Sequence, residues 1–432
     1  MTGTDPAKRV LIYSHDSYGL GHLSRCRTIA NALVGADDDL SVLILSGSPI
    51  IGSFDFKARV DFVRVPGVVK RQQDGEYEAL NLNIGIERTS EMRAALIRQT
   101  AEIFDPHLFI VDKEPLGLRG EVAETLRLLK ERGTPLVLGL RDVMDEPALL
   151  APEWKRKNVL PALRDLYDDI WIYGLPQLND PLAGIALSKP VKRKVVYTGY
   201  LRRDLPTESG LPAVVRGLDR PYILVTPGGG GDGEALVDWV LRAYEHDAKI
   251  PYAAVIVFGP FMAPEMREGF RQRAARLSGI RTLTFETNLG PLMACAAGVV
   301  AMGGYNTFCE ILSFDKKALI VPRTRPRLEQ FIRAQSARQQ KLAEMLPDDG
   351  RRDPATMSTA LRQLSQQGLP SDAIIPGLLD GLPNVGKLVA KHLKRPLRRP
   401  VSVVAPDDGV VVGVMTEPVP YEPVPMARRG VA

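Results

Sequence analysis

Three short stretches place chemically competent side chains directly behind glycine turns. The first is Gly19-Leu20-Gly21-His22, between an apolar run at 9–14 and a helical pattern that continues to residue 33. Glycines there let a ligand approach the backbone closely, and a histidine, which titrates near neutrality, can take a proton from a hydroxyl nucleophile. His22 is the candidate for that role, with His15 as a nearby substitute and plain capping or packing as the simpler assignment. The second stretch is Gly228, Gly229, Gly230 and Gly231, followed by Asp232-Gly233 and another helical pattern. Backbone N–H groups in such a loop can cradle a diphosphate, because no Cβ intervenes. It is neither a P-loop nor G-x-G-x-x-G with a distal acidic residue, and Asp232 could equally cap the helix.

The third stretch holds Gly303, Gly304, Asn306, Thr307 and Glu310, behind the apolar run 298–302. A carboxylate one turn into a helix can hold the vicinal hydroxyls of a ribose, while the free N–H groups at the helix start receive phosphate. Thr307 and Glu310 are also spaced as a capping box, which would satisfy the helix's own N–H groups. Glu329 and Gln330 open the next helix. The loop before them carries Arg323, Arg325 and Arg327, which either meet phosphate or are solvated. Asp112 and the pair Arg141-Asp142 end strands on the same side and are further candidates for an acceptor site.

Bringing these turns together requires a scaffold in which strand ends converge. Apolar, β-branched runs at 9–14, 40–45, 60–65, 108–111, 135–140, 169–173 and 194–198 alternate with helical patterns such as 87–104 and 121–131. A polar stretch rich in Pro and Gly follows at 201–219. A second series of runs lies at 222–226, 253–258, 282–285, 298–302 and 318–321, interleaved with helices. Such alternation indicates parallel sheets covered on both faces, with ligands at the carboxyl ends of the strands. The expected division is one α/β domain at 1–200, a linker at 201–219 and a second α/β domain at 220–370. A helical segment at 371–395 and a Pro-rich, disordered tail at 396–432 complete the chain.

The totals narrow the function classes. The 432 residues are 45% hydrophobic and 25% charged, enough for two or three domains with their own cores. The net charge of +5 is mild and partly gathered in KHLKRPLRRP at 391–400; without interleaved aromatics it does not read as a nucleic-acid surface. Three cysteines, Cys26, Cys295 and Cys309, lack metal-ligand spacing and read as thiols of a reducing compartment. Asp37, Asp38 and Asp39 lie away from the strand carboxyl ends and read as a solvated turn. A strand within ten residues of Met1 argues against a signal peptide, and no stretch reaches the roughly 18 apolar residues of a spanning helix. A cytoplasmic protein, soluble or at the inner face of the membrane, is expected.

Together these residues resemble a GT-B glycosyltransferase of family 28, the group that includes the peptidoglycan N-acetylglucosamine transferase, and an uncharacterised branch of predicted glycosyltransferases. The resemblance covers about residues 8–345 and is strongest in M-G-G-Y-N-T-F-C-E and the run 322–334. It implies two doubly wound Rossmann-like domains facing a central cleft. It also implies an acceptor-binding role for 1–200 and a nucleotide-sugar-binding role for 220–370, with a UDP-linked donor as substrate rather than cofactor, no metal, and an unknown hydroxyl acceptor, a lipid-linked one among the candidates. Carried over, Glu310 holds the ribose and Thr307 stands near the diphosphate. His22 is the base or a contact to the leaving diphosphate, and Glu329 and Gln330 contact the donor sugar. The family has Gln-Gln at that pair, so Glu329 departs from it; its N-terminal G-G-x-G-G-H is reduced here to Tyr18-Gly19-Leu20-Gly21-His22. The last helix is expected to pack back on the N-terminal domain, and the basic segment 391–399 to meet anionic lipid. A nucleotide-sugar epimerase of the same fold and a non-catalytic nucleotide-sugar binder are the alternatives.

Overall fold

The computed structural model describes residues 7–15, 20–71, 76–205, 210–229 and 231–394. Gly19, Gly230 and the whole Pro-rich tail, with its suggested edge strand at 410–414, lie outside them. In the N-terminal half the chain forms β1 (Lys8–Ser14), α1 (Gly21–Ala36), β2 (Leu40–Ser46), β3 (Val60–Arg64), β4 (Val68–Lys70) and β5 (Tyr77–Ala79). It continues through α2 (Ile86–Phe104), β6 (Leu108–Asp112), α3 (Ala123–Glu131), β7 (Leu136–Arg141), α4 (Pro147–Arg156) and α5 (Val159–Asp165). β8 (Asp169–Tyr173), α6 (Lys189–Lys192) and β9 (Val195–Tyr197) complete this half.

The second half begins with β10 (Tyr222–Thr226), α7 (Glu234–His246), β11 (Ala253–Val257), α8 (Pro264–Ala274) and β12 (Ile280–Leu283). Then come α9 (Gly290–Cys295), β13 (Gly298–Ala301), α10 (Tyr305–Ser313), β14 (Ala318–Ile320) and α11 (Glu329–Gln339). β15 (Glu344–Met345), α12 (Pro354–Gln363) and α13 (Gly381–Leu393) end the described chain.

Two parallel sheets result, in the orders β3-β2-β1-β6-β7-β8-β9 and β12-β11-β10-β13-β14-β15. Their central strands are buried along their length, as a sheet covered on both faces requires: Val10, Leu11, Ile12, Leu224 and Val225 are all wholly inaccessible. Each sheet reverses direction once. The chain runs outward from β1 to β3 and returns to β6 on the other side of β1. It likewise runs outward from β10 to β12 and returns to β13 beside β10. Such a reversal opens a crevice at the strand carboxyl ends.

The alternating α/β reading agrees with these sheets, but two segments outside the apolar runs and helical patterns of the sequence carry structure of their own. Residues 67–85 contain the antiparallel β4–β5 hairpin, and residues 142–154 contain most of α4. Pro152 lies inside α4 and Pro147 in its first turn, which hides the helix from a propensity reading. The three-residue strands of the hairpin are too short to show a period.

One apolar cluster passes from the first sheet through Tyr200 and Leu201 into Tyr305 and Phe308 of α10. Tyr200 stacks on Tyr305 with ring centroids 6.0 Å apart and meets Phe308 edge-on at 5.4 Å. α13 does cross back onto the N-terminal half. His392 lies 2.7 Å from Asp169 of β8, and Asn384 donates to the Thr198 carbonyl at 2.9 Å. No helix among the described residues is long and apolar enough to cross a membrane.

Candidate functional site

At the N-terminal switch point, β1 feeds α1 and the neighbouring β6 ends on Asp112. His22 Nδ1 lies 2.5 Å from Asp112 Oδ2. Arg25, one turn along the same helix face, clamps that carboxylate from Nε at 2.7 Å and Nη2 at 2.6 Å. Asp112 and Arg25 are only 2% and 1% exposed. Burial opposes the Asp112 charge, but Arg25 and His22 outweigh it and hold the carboxyl well below its usual range. At His22 burial dominates and lowers the pKa to about 4, because Arg25 has already balanced the Asp112 charge. The imidazole is therefore neutral at neutral pH. Its Nδ1–H points to Asp112, which leaves the Nε2 lone pair as an acceptor.

His15 is less suited to that work. It is buried, edge-on to His22 with centroids 5.5 Å apart, and its Nδ1 faces the Tyr13 hydroxyl at 3.4 Å. Tyr13 in turn donates to Glu121, which Arg93 clamps twice. Burial pushes the His15 pKa well below its usual value. The ring belongs to a packed polar network, whereas the His22 side chain keeps 14% exposure.

At the C-terminal switch point, β13 leads into Gly303, whose φ is +78°. A Cβ there would stand 2.6 Å from Ile320 Cγ2, so the turn needs glycine. Gly304 is the N-cap of α10 and supplies no side chain, so the first N–H groups of the helix are left without a cap. Thr307 lies inside the first turn rather than at the N-cap, and the capping-box alternative does not form. The Glu310 carboxylate makes no hydrogen bond among the described residues. It sits in the fields of Arg203 and Arg27, and burial raises its pKa.

Beside this turn lies the glycine loop after β10. Gly228 has a φ of +82° and donates its N–H to Thr226 Oγ1 at 3.2 Å, while the Gly229 carbonyl accepts from the Phe261 N–H at 3.0 Å. A Cβ on Gly259 would come within 2.5 Å of the Gly228 carbonyl, so the two loops lie backbone to backbone. Gly231 continues the loop, and Asp232 pairs with Arg323 at 2.6 Å instead of capping α7, whose N-cap is Gly233.

The arginines of the 323–327 loop split between partners. Arg323 also reaches Glu329 Oε1 at 2.8 Å, and Arg327 pairs with Asp145 and Glu153 of the N-terminal half, each at 3.2 Å. Glu329 is 5% exposed and its second oxygen, Oε2, is buried without a partner. Burial opposes its ionisation, yet Arg141, Arg323 and Arg333 outweigh that and hold the carboxyl below its usual range. Gln330 turns its amide oxygen onto the Arg323 N–H at 3.1 Å.

The two switch points touch. Asn306 donates from Nδ2 to the Gly21 carbonyl at 2.9 Å and accepts from Arg203 Nη2 at 2.8 Å, so its side chain binds protein while its N–H stays at the helix start. Nearby, Arg333 clamps Asp142 at 2.8 and 2.6 Å and donates to the Gly303 carbonyl at 2.9 Å. Asp142 also accepts from the Tyr200 hydroxyl. Asp142 is thus a tie between the halves and not a free acceptor-site group. Arg25 and Arg333 lie over the Tyr305 ring at 5.5 and 5.8 Å. Arg25, Arg203 and Arg333 were not anticipated; only the three-residue spacing from His22 to Arg25 pointed to a shared helix face. Among the described residues no group of three or more His, Cys, Asp or Glu side chains is placed to hold a metal ion.

Known proteins share this fold. The model of the glycosyltransferase family 28 C-terminal domain matches residues 222–372. A UDP-glucosyltransferase from Polygonum tinctorium superposes with a TM-score of 0.61 at 14% identity, covering 91% of this chain and 100% of that one. The calicheamicin glycosyltransferase CalG4 gives 0.58 at 14% identity, covering 90% and 99%. MurG from Acinetobacter baumannii gives 0.54 at 13% identity, covering 89% and 99%. Comparison with curated sequences found no match. Residues 222–372 thus match a glycosyltransferase family 28 C-terminal domain, and the chain as a whole shares the two-lobed GT-B fold of these glycosyltransferases.

Proposed function

We propose that the protein transfers a hexosyl group, N-acetylhexosaminyl included, from a UDP-linked sugar to a hydroxyl acceptor. The observation that carries this reading is the contact between switch points: the His22–Asp112 pair abuts, through Gly21 and Asn306, the start of α10 that bears Thr307 and Glu310. Glu310 holds the ribose hydroxyls. The uncapped N–H groups of α10 and the glycine loop at 228–231 receive the diphosphate, the charge that a helix start attracts. Glu329, through Oε2, and Gln330 face the donor sugar.

His22 Nε2 takes the proton of the acceptor hydroxyl as its oxygen attacks the anomeric carbon. The bond from that carbon to the diphosphate breaks, and the helix and loop N–H groups hold the charge that leaves. Asp112 keeps Nδ1 protonated and the ring oriented. The mechanism asks nothing of a metal, so turnover is expected to persist in EDTA. The acceptor side lies on the N-terminal half, and a lipid-linked acceptor is part of the same proposal.

Contact of the basic segment 391–399 with anionic lipid belongs to the same reading. Its support is the exposure of Lys391 and Lys394 beside the anchored His392. Liposome sedimentation of the full chain against a truncation after residue 394 tests it, since the truncation keeps the His392–Asp169 contact.

The test of function follows UDP-glucose and UDP-N-acetylglucosamine by NMR, with and without cell-extract acceptors. Acceptor-dependent release of UDP, lost in His22→Ala, is expected. Epimer formation without an acceptor would assign the protein to the epimerases, and binding without turnover would make it a sensor.

A further inference from the structure

Arg141, the last residue of β7, has a guanidinium that makes no hydrogen bond or ion pair among the described residues, and its Nε is buried. The carboxylates around it are already engaged. Asp112 is taken by Arg25 and His22, Asp142 by Arg333 and Tyr200, and Glu329 Oε1 by Arg323, so that Glu329 acts on Arg141 through its field and not through a hydrogen bond. A second cation adjoins it from the next strand. Lys113 follows Asp112, donates its backbone N–H to the Gly139 carbonyl at 2.8 Å, and among the described residues has only Glu114 as an ion-pair partner, 3.9 Å away. Glu114 is shared with Lys157 at 3.1 Å. Burial, more than any neighbouring charge, pulls Lys113 down to about 8 and Arg141 to about 10, and each feels the other or the other's neighbours at the cleft.

A guanidinium stays charged in a protein, and one that is partly buried with no carboxylate hydrogen-bonded to it favours the binding of an anion. The helix starts and glycine loop on the C-terminal side already provide for the donor diphosphate, whereas Arg141 and Lys113 stand on the N-terminal sheet. They flank the strand end that carries Asp112, and the Lys113 charge is felt at His22. We infer that Arg141, assisted by Lys113, docks an anionic group of the acceptor, a phosphate or a carboxylate, beside the hydroxyl that His22 deprotonates. This selects acceptors that carry a negative charge close to the nucleophile. The inference rests on the glycosyltransferase reading for the word acceptor, but the anion site itself does not.

The test uses the full-length chain and Arg141→Met, with inorganic pyrophosphate as the probe. In thermal shift, pyrophosphate added on top of saturating UDP should raise the melting temperature of the wild type and leave Arg141→Met unmoved. Without any anion, Arg141→Met should melt close to the wild-type temperature, because the partly buried cation that is removed has no hydrogen-bonded partner among the described residues to lose. UDP affinity by calorimetry should agree within twofold between the two proteins. An equal pyrophosphate response in both, or a variant several degrees less stable without anion, overturns the site. A tenfold loss of UDP affinity in the variant would assign Arg141 to the donor diphosphate and also overturn the proposal. With pyrophosphate alone, the difference in response between wild type and Arg141→Met reads the anion site even in a protein that fails to bind UDP, so failure of the glycosyltransferase reading is seen separately.

Discussion

The side-chain amide of Asn306 donates to the carbonyl of Gly21, the residue before His22, across 2.9 Å. One hydrogen bond thus joins the reversal points of two separate sheets, and with them the base and the helix that bears Glu310. Group transfer needs this proximity, because donor and acceptor must meet within a few ångströms for reaction.

Glu310→Ala is expected to weaken UDP binding ten- to a hundredfold. Hydrogen bonds to a carboxylate are worth about 1.5–3 kcal/mol, and among the described residues the carboxylate has no hydrogen-bond partner to lose. Titration calorimetry checks it, and a melting temperature close to wild type should accompany the loss. An unchanged dissociation constant in the folded variant contradicts the assignment.

His22→Ala should lower acceptor-dependent turnover by roughly 10²–10⁴-fold, the range of a positioned general base, with UDP affinity retained. Asp112→Asn should lower turnover as well, since the amide no longer fixes the Nδ1–H tautomer. Asp112→Ala should also cost about 3–5 kcal/mol in urea denaturation, because Arg25 is left buried and uncompensated.

The pH profile separates a neutral base from an imidazolium. With His22 held near 4 by burial, kcat/KM should stay flat on the acid side down to about pH 4 instead of falling near 6.5. The linked stability has a definite sign. Below pH 6.5 the unfolded histidine takes a proton that the folded one refuses, so stability declines as pH falls from 6.5 toward 4. His22→Asn should flatten that part of the stability curve, and an acid limb in kcat/KM near 6.5 would contradict the neutral-base account.

The Asp142–Arg333 pair ties the two halves, with both side chains essentially inaccessible. Arg333→Met alone should destabilise by about 3–5 kcal/mol, whereas adding Asp142→Leu should recover much of that loss, since a buried pair is cheaper to replace than to break. Chemical denaturation of the single and double variants measures the difference.

Much of this frame was legible from residue order, because strands buried on both faces appear as uninterrupted apolar runs and their glycine turns follow at once. Strand order was not legible. Nothing local to Asp112 says that β6 lies beside β1, and so its partnership with His22, 90 residues away, needed the structure. The same holds for Asn306, whose residue type suits a ligand as well as the Gly21 carbonyl. Thr307 and Glu310 were ambiguous between cap and site for a different reason. The two uses share one spacing, and only the position of Gly304 as N-cap separates them.

A crystal structure of the full chain with UDP bound tests the central claim most directly. The account predicts the ribose hydroxyls within hydrogen-bond distance of the Glu310 carboxylate and the diphosphate against the N–H groups that open α10. Nucleotide bound at any other place on the chain, with Glu310 left untouched, would contradict it.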